Sequence, residues 1–266
     1  ALGGIEAALS YARNYADERK QFGKPLSELP LMKRNLEDLE TERDAMRALL
    51  ADTCSHFDIY RFLDRKNGET DGDLSHEETK QLKEAKIWVR KRTPLIKYYM
   101  CETYTTISQK ALQVLGGYGF MTEYPLERLH RDSFAPLLYE GTSQIQALMA
   151  LKDLLKYLMV DPKRFFKNTI FKHPSFFMNN KVRDWEVDFK GLHYRFKKKL
   201  IKLLIKTLGP PKNGSLFKPK KWVTEEKIEK LMIHAETFCQ ASAYIETLRV
   251  LVDHSYKDSK RKNLYF

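Results

Sequence analysis

The chain has 266 residues, 42% of them hydrophobic and 31% charged, with a formal net charge of +12. That apolar fraction is enough for a real core, in one large domain or two, and excludes wholesale disorder; 12 Gly and 10 Pro exclude collagen-like and proline-rich classes. No eighteen-residue apolar run is present, which excludes a membrane-spanning helix, and the excess of cations points to an anionic partner without naming it. Cys54, Cys101 and Cys239 are far apart and form no C-x-x-C pair. A disulfide framework and a zinc site are therefore not expected, and the cytoplasm or another reducing compartment fits best.

In chain order, Ile5, Ala8, Leu9 and Ala12 recur at helical spacing and predict a helix over 1–18, already in rhythm at a first residue that is not Met. The expectation is a piece of something longer. Gly23 and Pro25 break that helix. A second long helix is predicted over 27–65, with Leu31, Leu36, Leu39 and Met46 on one side, continued by Leu49, Leu50, Phe57 and Phe62. Residues 67–75, NGETDGDLS, read as a polar loop; its Asp71 and Asp73 lack the ligand series of a calcium loop. Ser75 with Glu78 makes a capping box that starts a third helix, running to about Leu115. A Gly-rich connection over 116–125 and a short helix over 125–132 follow. A further helix begins after Glu140, with Ile145, Leu148, Met149, Leu155 and Leu158 on one face. Residues 1–160 are thus predicted to be an antiparallel helical bundle, in an all-α chain.

Composition changes after Tyr157. Residues 156–235 hold twenty Lys or Arg against seven Asp or Glu, so the rest of the chain is near neutral. A second unit is expected over 161–266, a basic α-helical extension punctuated by Pro162, Pro174, Pro210, Pro211 and Pro219. Within it, 189–208 reads as an amphipathic helix carrying Lys197, Lys198, Lys199, Lys202 and Lys206, and 224–256 as one more helix. The 189–208 helix suits either peripheral contact with an anionic membrane or packing on the bundle with a solvated lysine face. Lysines interleaved with Phe165, Phe166, Trp185, Tyr194 and Trp222 raise nucleic acid as another anionic partner; no nucleic-acid module is recognisable, and that partner is disfavoured. The terminal KNLYF is similar to part of a cleavage tag and is set aside.

Two segments carry a resemblance. LQVLGGYGFMTEYPLERLHRDSFAPLLYEGTSQIQ, 112–146, closely resembles the C-terminal helical domain of flavin-dependent acyl-CoA dehydrogenases. ERKQFGKPLSEL, 18–29, resembles the R-x-x-F-G-x-x-L element of the same family, at the right distance upstream. The resemblance covers about the first 160 residues and implies an FAD enzyme that removes an α-proton from an acyl-CoA thioester while hydride leaves the β-carbon. It implies Glu140 as the general base, where burial beside acyl chain and flavin would raise a carboxyl pKa. It places Thr142 and Gln144 against the flavin, and Tyr139 and Gly141 against the acyl thioester. Arg19, Gln21 and Phe22 match an element that touches the FAD of a neighbouring subunit, and Gln113, Gly116 and Gly117 the family's Q-x-x-G-G. GGYGF follows a helix rather than a strand, so it is no Rossmann fingerprint. Arg128, Arg131 and Asp132 match R-x-x-R-D, with Asp132 structural.

Pro30 stands where the family commonly has Gln, and the 55–82 region exceeds the compact family pattern. The family's other two domains, including the β domain that holds the flavin ring, have no counterpart in this chain. The resemblance further implies an electron-transferring flavoprotein as electron acceptor and a homodimer or homotetramer. A non-catalytic member or fragment that binds membrane or DNA through its basic extension is the alternative.

Overall fold

The computed structural model describes residues 1–69, 72–167, 184–209, 218 and 223–257. Asp71, Pro174, Pro210, Pro211, Pro219, Trp222, the side chain of Trp185 and the KNLYF ending lie outside the described residues. The described chain is helical except for one small hairpin. Helix α1 (Leu2–Glu18) leads into strands β1 (Lys20–Gln21) and β2 (Lys24–Pro25), then a 3-10 turn. Helices α2 (Pro30–Glu69) and α3 (His76–Val114) form a long antiparallel pair. A 3-10 segment over Gly116–Phe120, α4 (Pro125–Asp132) and α5 (Ala135–Leu138) lead to α6 (Ser143–Val160) and α7 (Pro162–Phe165). Helices α8 (Asp184–Leu208), α9 (Glu225–Met232) and α10 (Ala235–Lys257) complete the described chain.

The α2–α3 turn is fixed as its sequence predicts. Ser75 Oγ accepts from the Glu78 amide at 3.2 Å, and the Glu78 carboxylate accepts from the Ser75 amide at 3.0 Å. Lys66 of α2 also donates to Glu78, and these contacts hold the Glu78 carboxyl down at about 2. One apolar cluster then unites the bundle. It runs from Ile5 and Leu9 through Met46 and Leu49, Leu95 and Ile107, and Leu151 and Leu158, to Leu204 and Leu208 of α8 and Cys239 and Val250 of α10. The core is therefore continuous across residue 160, where composition changes. At about 1.5–3 kcal/mol per fully buried large aliphatic side chain, this shared cluster contributes much of the fold's stability.

Buried polar groups tie α10 in as well. Arg92 of α3 is 1% exposed; it pairs with Asp52 of α2, and its Nε lies 3.5 Å from Glu246 Oε2 of α10. Arg92 and Arg249 both lie over the Trp88 ring, at 4.4 and 4.3 Å from its centroid. Lys91 reaches Glu246 at 2.5 Å.

Several side chains predicted for the core point elsewhere. Leu31 is 82% exposed, and Phe57, Phe62, Ile145 and Met149 are also exposed. On α6 the core is met by Leu151 and by Ala147 and Ala150, small residues that let α3 approach, while Ile145 and Met149 share another stripe one turn apart. The single helix predicted over 224–256 is two. It breaks at Ile233 and His234, with Leu231 and Ala235 buried on either side and Ile233 turned outward. No Gly or Pro marks that break. Thr224 makes no side-chain cap there, leaving Glu225 and Glu226 to complement the helix N-terminus. In α8, Leu200, Leu204 and Leu208 are buried in the packing with α9 and α10, Phe189 is buried too, and Lys198, Lys199, Lys202 and Lys206 are exposed. Lys197 is the exception: it is buried, and burial lowers its pKa.

Candidate active site

A second apolar cluster, Ala8, Ala12, Ala16, Leu26, Leu36, Val114 and Leu126, seats the end of α1 against the end of α3. The β1–β2 hairpin springs from this seat. Phe22 (φ 52°) and Gly23 (φ 81°) both take left-handed conformations, the turn that matches strand twist in a two-residue hairpin. The Leu26 amide donates to the Arg19 carbonyl at 2.8 Å and closes the loop. Between the hairpin and the Gly116–Phe120 segment lies a groove of about 590 Å³. Arg19, Gln21, Gln113, Gly116 and Gly117 all line it, so five of the predicted cofactor residues are gathered from sequence positions almost a hundred residues apart.

Tyr15, Met32, Tyr118 and Met121, which sequence reasoning did not single out, line the same groove. The Arg19 guanidinium lies 6.0 Å from the Tyr118 ring centroid. Arg19 is the one charged side chain among the groove's lining residues, and no carboxylate faces it there. Cβ atoms added at Gly116 or Gly117 would meet nothing within 4 Å, so the backbone there is open to a ligand, and Gly116 has φ 59°. A guanidinium, two amide side chains, open backbone and aromatic rings fit an anionic, ring-bearing group such as a dinucleotide. Phe22 sits at the hairpin tip, 82% exposed and outside the groove lining.

The second group of predicted residues surrounds the α5–α6 turn. Glu140 (φ 55°) and Gly141 (φ 91°) are consecutive left-handed residues. Thr142 then caps α6, its Oγ1 accepting from the Ile145 amide at 3.4 Å. Gln146 Nε2 reaches back and donates to the Glu140 carbonyl at 2.9 Å. The φ of Gly141 favours glycine, and a Cβ there would come within 2.9 Å of that same Nε2 and push the amide aside. Lys97 of α3 donates to the Pro136 carbonyl, and its Nζ lies 5.4 Å from the Tyr139 ring centroid. Tyr139, Glu140, Thr142 and Gln144 are exposed, and Gly141 is half-buried. The burial expected around Glu140 is thus not supplied by the described residues. Ser143 Oγ, by contrast, is buried without a hydrogen-bond partner at the start of α6. Nearby, Asp132 lies 4.0 Å from Arg128 on the surface of α4.

The two groups are held apart by α3. Lys97 underlies the Glu140 turn and Gln113 faces the groove, sixteen residues on, which at 1.5 Å per residue is about 24 Å along the helix. Among the described residues, no group of three or more His, Cys, Asp or Glu could hold a metal ion, and no helix is long and apolar enough to cross a membrane.

The family model described as acyl-CoA dehydrogenase, C-terminal domain, matches residues 1–61 and 74–155, more than half of the chain. The interruption falls between the matched parts of α2 and α3. A caffeyl-CoA reductase–Etf complex subunit of Acetobacterium woodii is 32% identical over 155 residues, 58% of this chain and 34% of that protein. The mitochondrial short-chain specific acyl-CoA dehydrogenase of Homo sapiens is 33% identical over 156 residues, 59% of this chain and 32% of that protein. The chain spans about a third of the length of the curated relatives it matches. The crystal structure of an acyl-CoA dehydrogenase complexed with FAD from Bacillus anthracis superposes with a TM-score of 0.69 at 21% identity. It covers 99% of this chain and 43% of that one, so the fold likeness includes α8–α10.

Proposed function

The chain belongs to the acyl-CoA dehydrogenase C-terminal domain family, and from that premise we propose that it takes part in FAD-dependent α,β-dehydrogenation of an acyl-CoA thioester. The observation that carries this reading is Glu140. It is an exposed carboxylate on a left-handed turn, set immediately before a capped helix and flanked by Tyr139 and Gly141. A carboxylate so placed can remove the proton α to a thioester carbonyl, provided the substrate's α-carbon is brought within hydrogen-bond reach. Tyr139 and Gly141 line the approach of the thioester, with the absent Cβ of Gly141 leaving room beside the base. Thr142 and Gln144, at the start of α6, face the flavin end of the cofactor. FAD, when bound, supplies the acceptor for the hydride that leaves the β-carbon. A reductase such as the Acetobacterium woodii relative is named for the opposite direction, and the same carboxyl then returns the proton.

The groove holds the cofactor's phosphate-bearing portion: Arg19 pairs with phosphate oxygens, and Gln21 and Gln113 bind beside the open backbone of Gly116 and Gly117. Phe22, at the exposed hairpin tip, packs on the adenine end. With some 24 Å of α3 between groove and base, one chain's groove serves the cofactor of a neighbouring copy, in a homodimer or homotetramer. Reoxidation by an electron-transferring flavoprotein completes the cycle; the Etf complex named for the Acetobacterium woodii relative supports that partner. Free Cys54, Cys101 and Cys239 support a reducing compartment such as the cytoplasm. Membrane contact through 189–208 is disfavoured, because Leu200, Leu204 and Leu208 of the apolar face it would use are buried in the core shared with α9 and α10. Nucleic acid is disfavoured as well, because the sequence carries no recognisable nucleic-acid module.

The test is a visible spectrum of the protein supplied with FAD, taken anaerobically before and after a mixed-chain acyl-CoA set. Bleaching of the flavin band is expected. A bound flavin that stays oxidised across all chain lengths, and is not reoxidised by an enoyl-CoA after chemical reduction, would overturn the reading.

A further inference from the structure

Glu140 is one of two non-glycine residues in the described chain with positive φ. L-residues adopt that conformation at a cost and keep it only when their surroundings dictate it. Two contacts from separate helices meet at this turn. Gln146 of α6 is 7% exposed and lies among the core-facing residues Ala147, Ala150 and Leu151. A glutamine in such a place needs a partner for its amide, and its Nε2 donates to the Glu140 carbonyl at 2.9 Å. From the other side, Lys97 of α3 donates to the Pro136 carbonyl, one of the last carbonyls of α5 that no helical amide reaches, and lies under the Tyr139 ring.

Resting on the reading of Glu140 as the base, we propose that Gln146 and Lys97 are positioning residues that clamp the Glu140 turn and so aim its carboxylate at the substrate. Gln146 fixes the carbonyl that follows the Glu140 Cα, and Lys97 fixes the carbonyl four residues before it. With both ends of the segment held, the Glu140 Cα–Cβ direction is set by the scaffold, and only its side-chain torsions remain free. If the Gln146 donor is removed, Glu140 relaxes toward an ordinary negative φ, which swings Cβ and displaces the carboxylate. A displacement of about 1 Å at a reacting group costs on the order of 100-fold in rate. Substrate binding draws on many more contacts than Tyr139 and Gly141 beside this carbonyl, and changes far less. Neither Gln146 nor Lys97 touches the reacting atoms; both act through the backbone.

The experiment uses Gln146→Met, which keeps side-chain length and loses the donor, and Lys97→Met, each in the full chain. The first readout needs neither flavin nor turnover. Glutamate is selectively ¹³C-labelled, and the Glu140 Cα signal, identified by its loss in Glu140→Gln, is compared between proteins. A shift away from the left-handed position is expected in Gln146→Met, with a smaller one in Lys97→Met. The second readout is flavin reduction by acyl-CoA. The limiting rate is expected to fall about 100-fold in Gln146→Met, with the half-saturating acyl-CoA concentration moving less than about threefold. Should Gln146→Met fail to fold, Lys97→Met carries both readouts. An unmoved Glu140 signal in the folded variants, or a rate loss matched by an equal loss of acyl-CoA affinity, overturns the clamp. Wild-type reduction rates in Glu140→Gln would instead overturn the base assignment, and the carbon signal would still decide whether the clamp exists.

Discussion

Arg92 and Glu246 meet in the interior and, with Lys91 donating to the same carboxylate, join α3 to α10 across the point where composition turns basic. Both side chains are almost fully buried, and Asp52 of α2 completes the set. Removing one partner of a buried pair leaves an uncompensated charge, which typically costs about 3–5 kcal/mol. Glu246→Ala is therefore expected to destabilise the whole bundle, α1 to α10, in one cooperative transition. Urea denaturation followed by far-UV circular dichroism checks this. A separate early transition for α8–α10, with the remainder unchanged, would show that the two parts do not share a core.

The same cluster sets a pH dependence. For Asp52, burial raises the pKa, but the Arg92 hydrogen bond and charge, with help from His56 and Arg249, overcome it and hold the group below the usual carboxylate range. Glu246 follows the same pattern: burial raises it, and Lys91, Arg249 and Arg92 outweigh burial and lower it. A carboxyl depressed in the folded state contributes stability that is fully present above its unfolded pKa of about 4 and is lost as pH falls through the folded value. Stability should therefore be flat on this account from pH 7 to about 5 and decline below about 4. Denaturation midpoints measured across that range check it, and Glu246→Gln should show a shallower decline than the parent protein.

In the groove, the prediction concerns Arg19. It is the only charge among the lining residues, and a hydrogen bond to a charged group contributes about 1.5–3 kcal/mol. Arg19→Met should therefore weaken FAD binding about 10- to 100-fold, with a smaller dependence on salt than the parent shows. Titration by flavin fluorescence at two ionic strengths is the measurement. Arg19→Lys should recover only part of the loss, because an ammonium cannot form the two parallel bonds of a guanidinium.

The sequence pattern was readable where it had local causes. The Ser75–Glu78 box, the rhythm of Ile5, Ala8, Leu9 and Ala12, and the two motif segments each signal through neighbouring residues, and the helices and groove follow them. What was not readable depends on packing between distant elements. Arg92 lies in the charged run Arg90-Lys91-Arg92, which looks like a solvated helix face until Asp52 and Glu246 are brought to it from two other helices. Leu31 on α2, and Ile145 and Met149 on α6, satisfy helical spacing equally well on stripes that are exposed among the described residues. Gln146 closes the same motif that names Glu140, yet its role appears only when the left-handed turn folds its own carbonyl back over α6. The break between α9 and α10 has no Gly or Pro to announce it.

The most direct test of the central claim is anaerobic flavin reduction in Glu140→Gln, by stopped flow, with an acyl-CoA that bleaches the parent protein. Glutamine keeps the shape and removes the base, so flavin absorbance should be retained while the reduction rate falls about 10²- to 10⁴-fold, the usual contribution of a general base. Reduction at the parent rate would contradict the assignment and place the proton acceptor outside this turn.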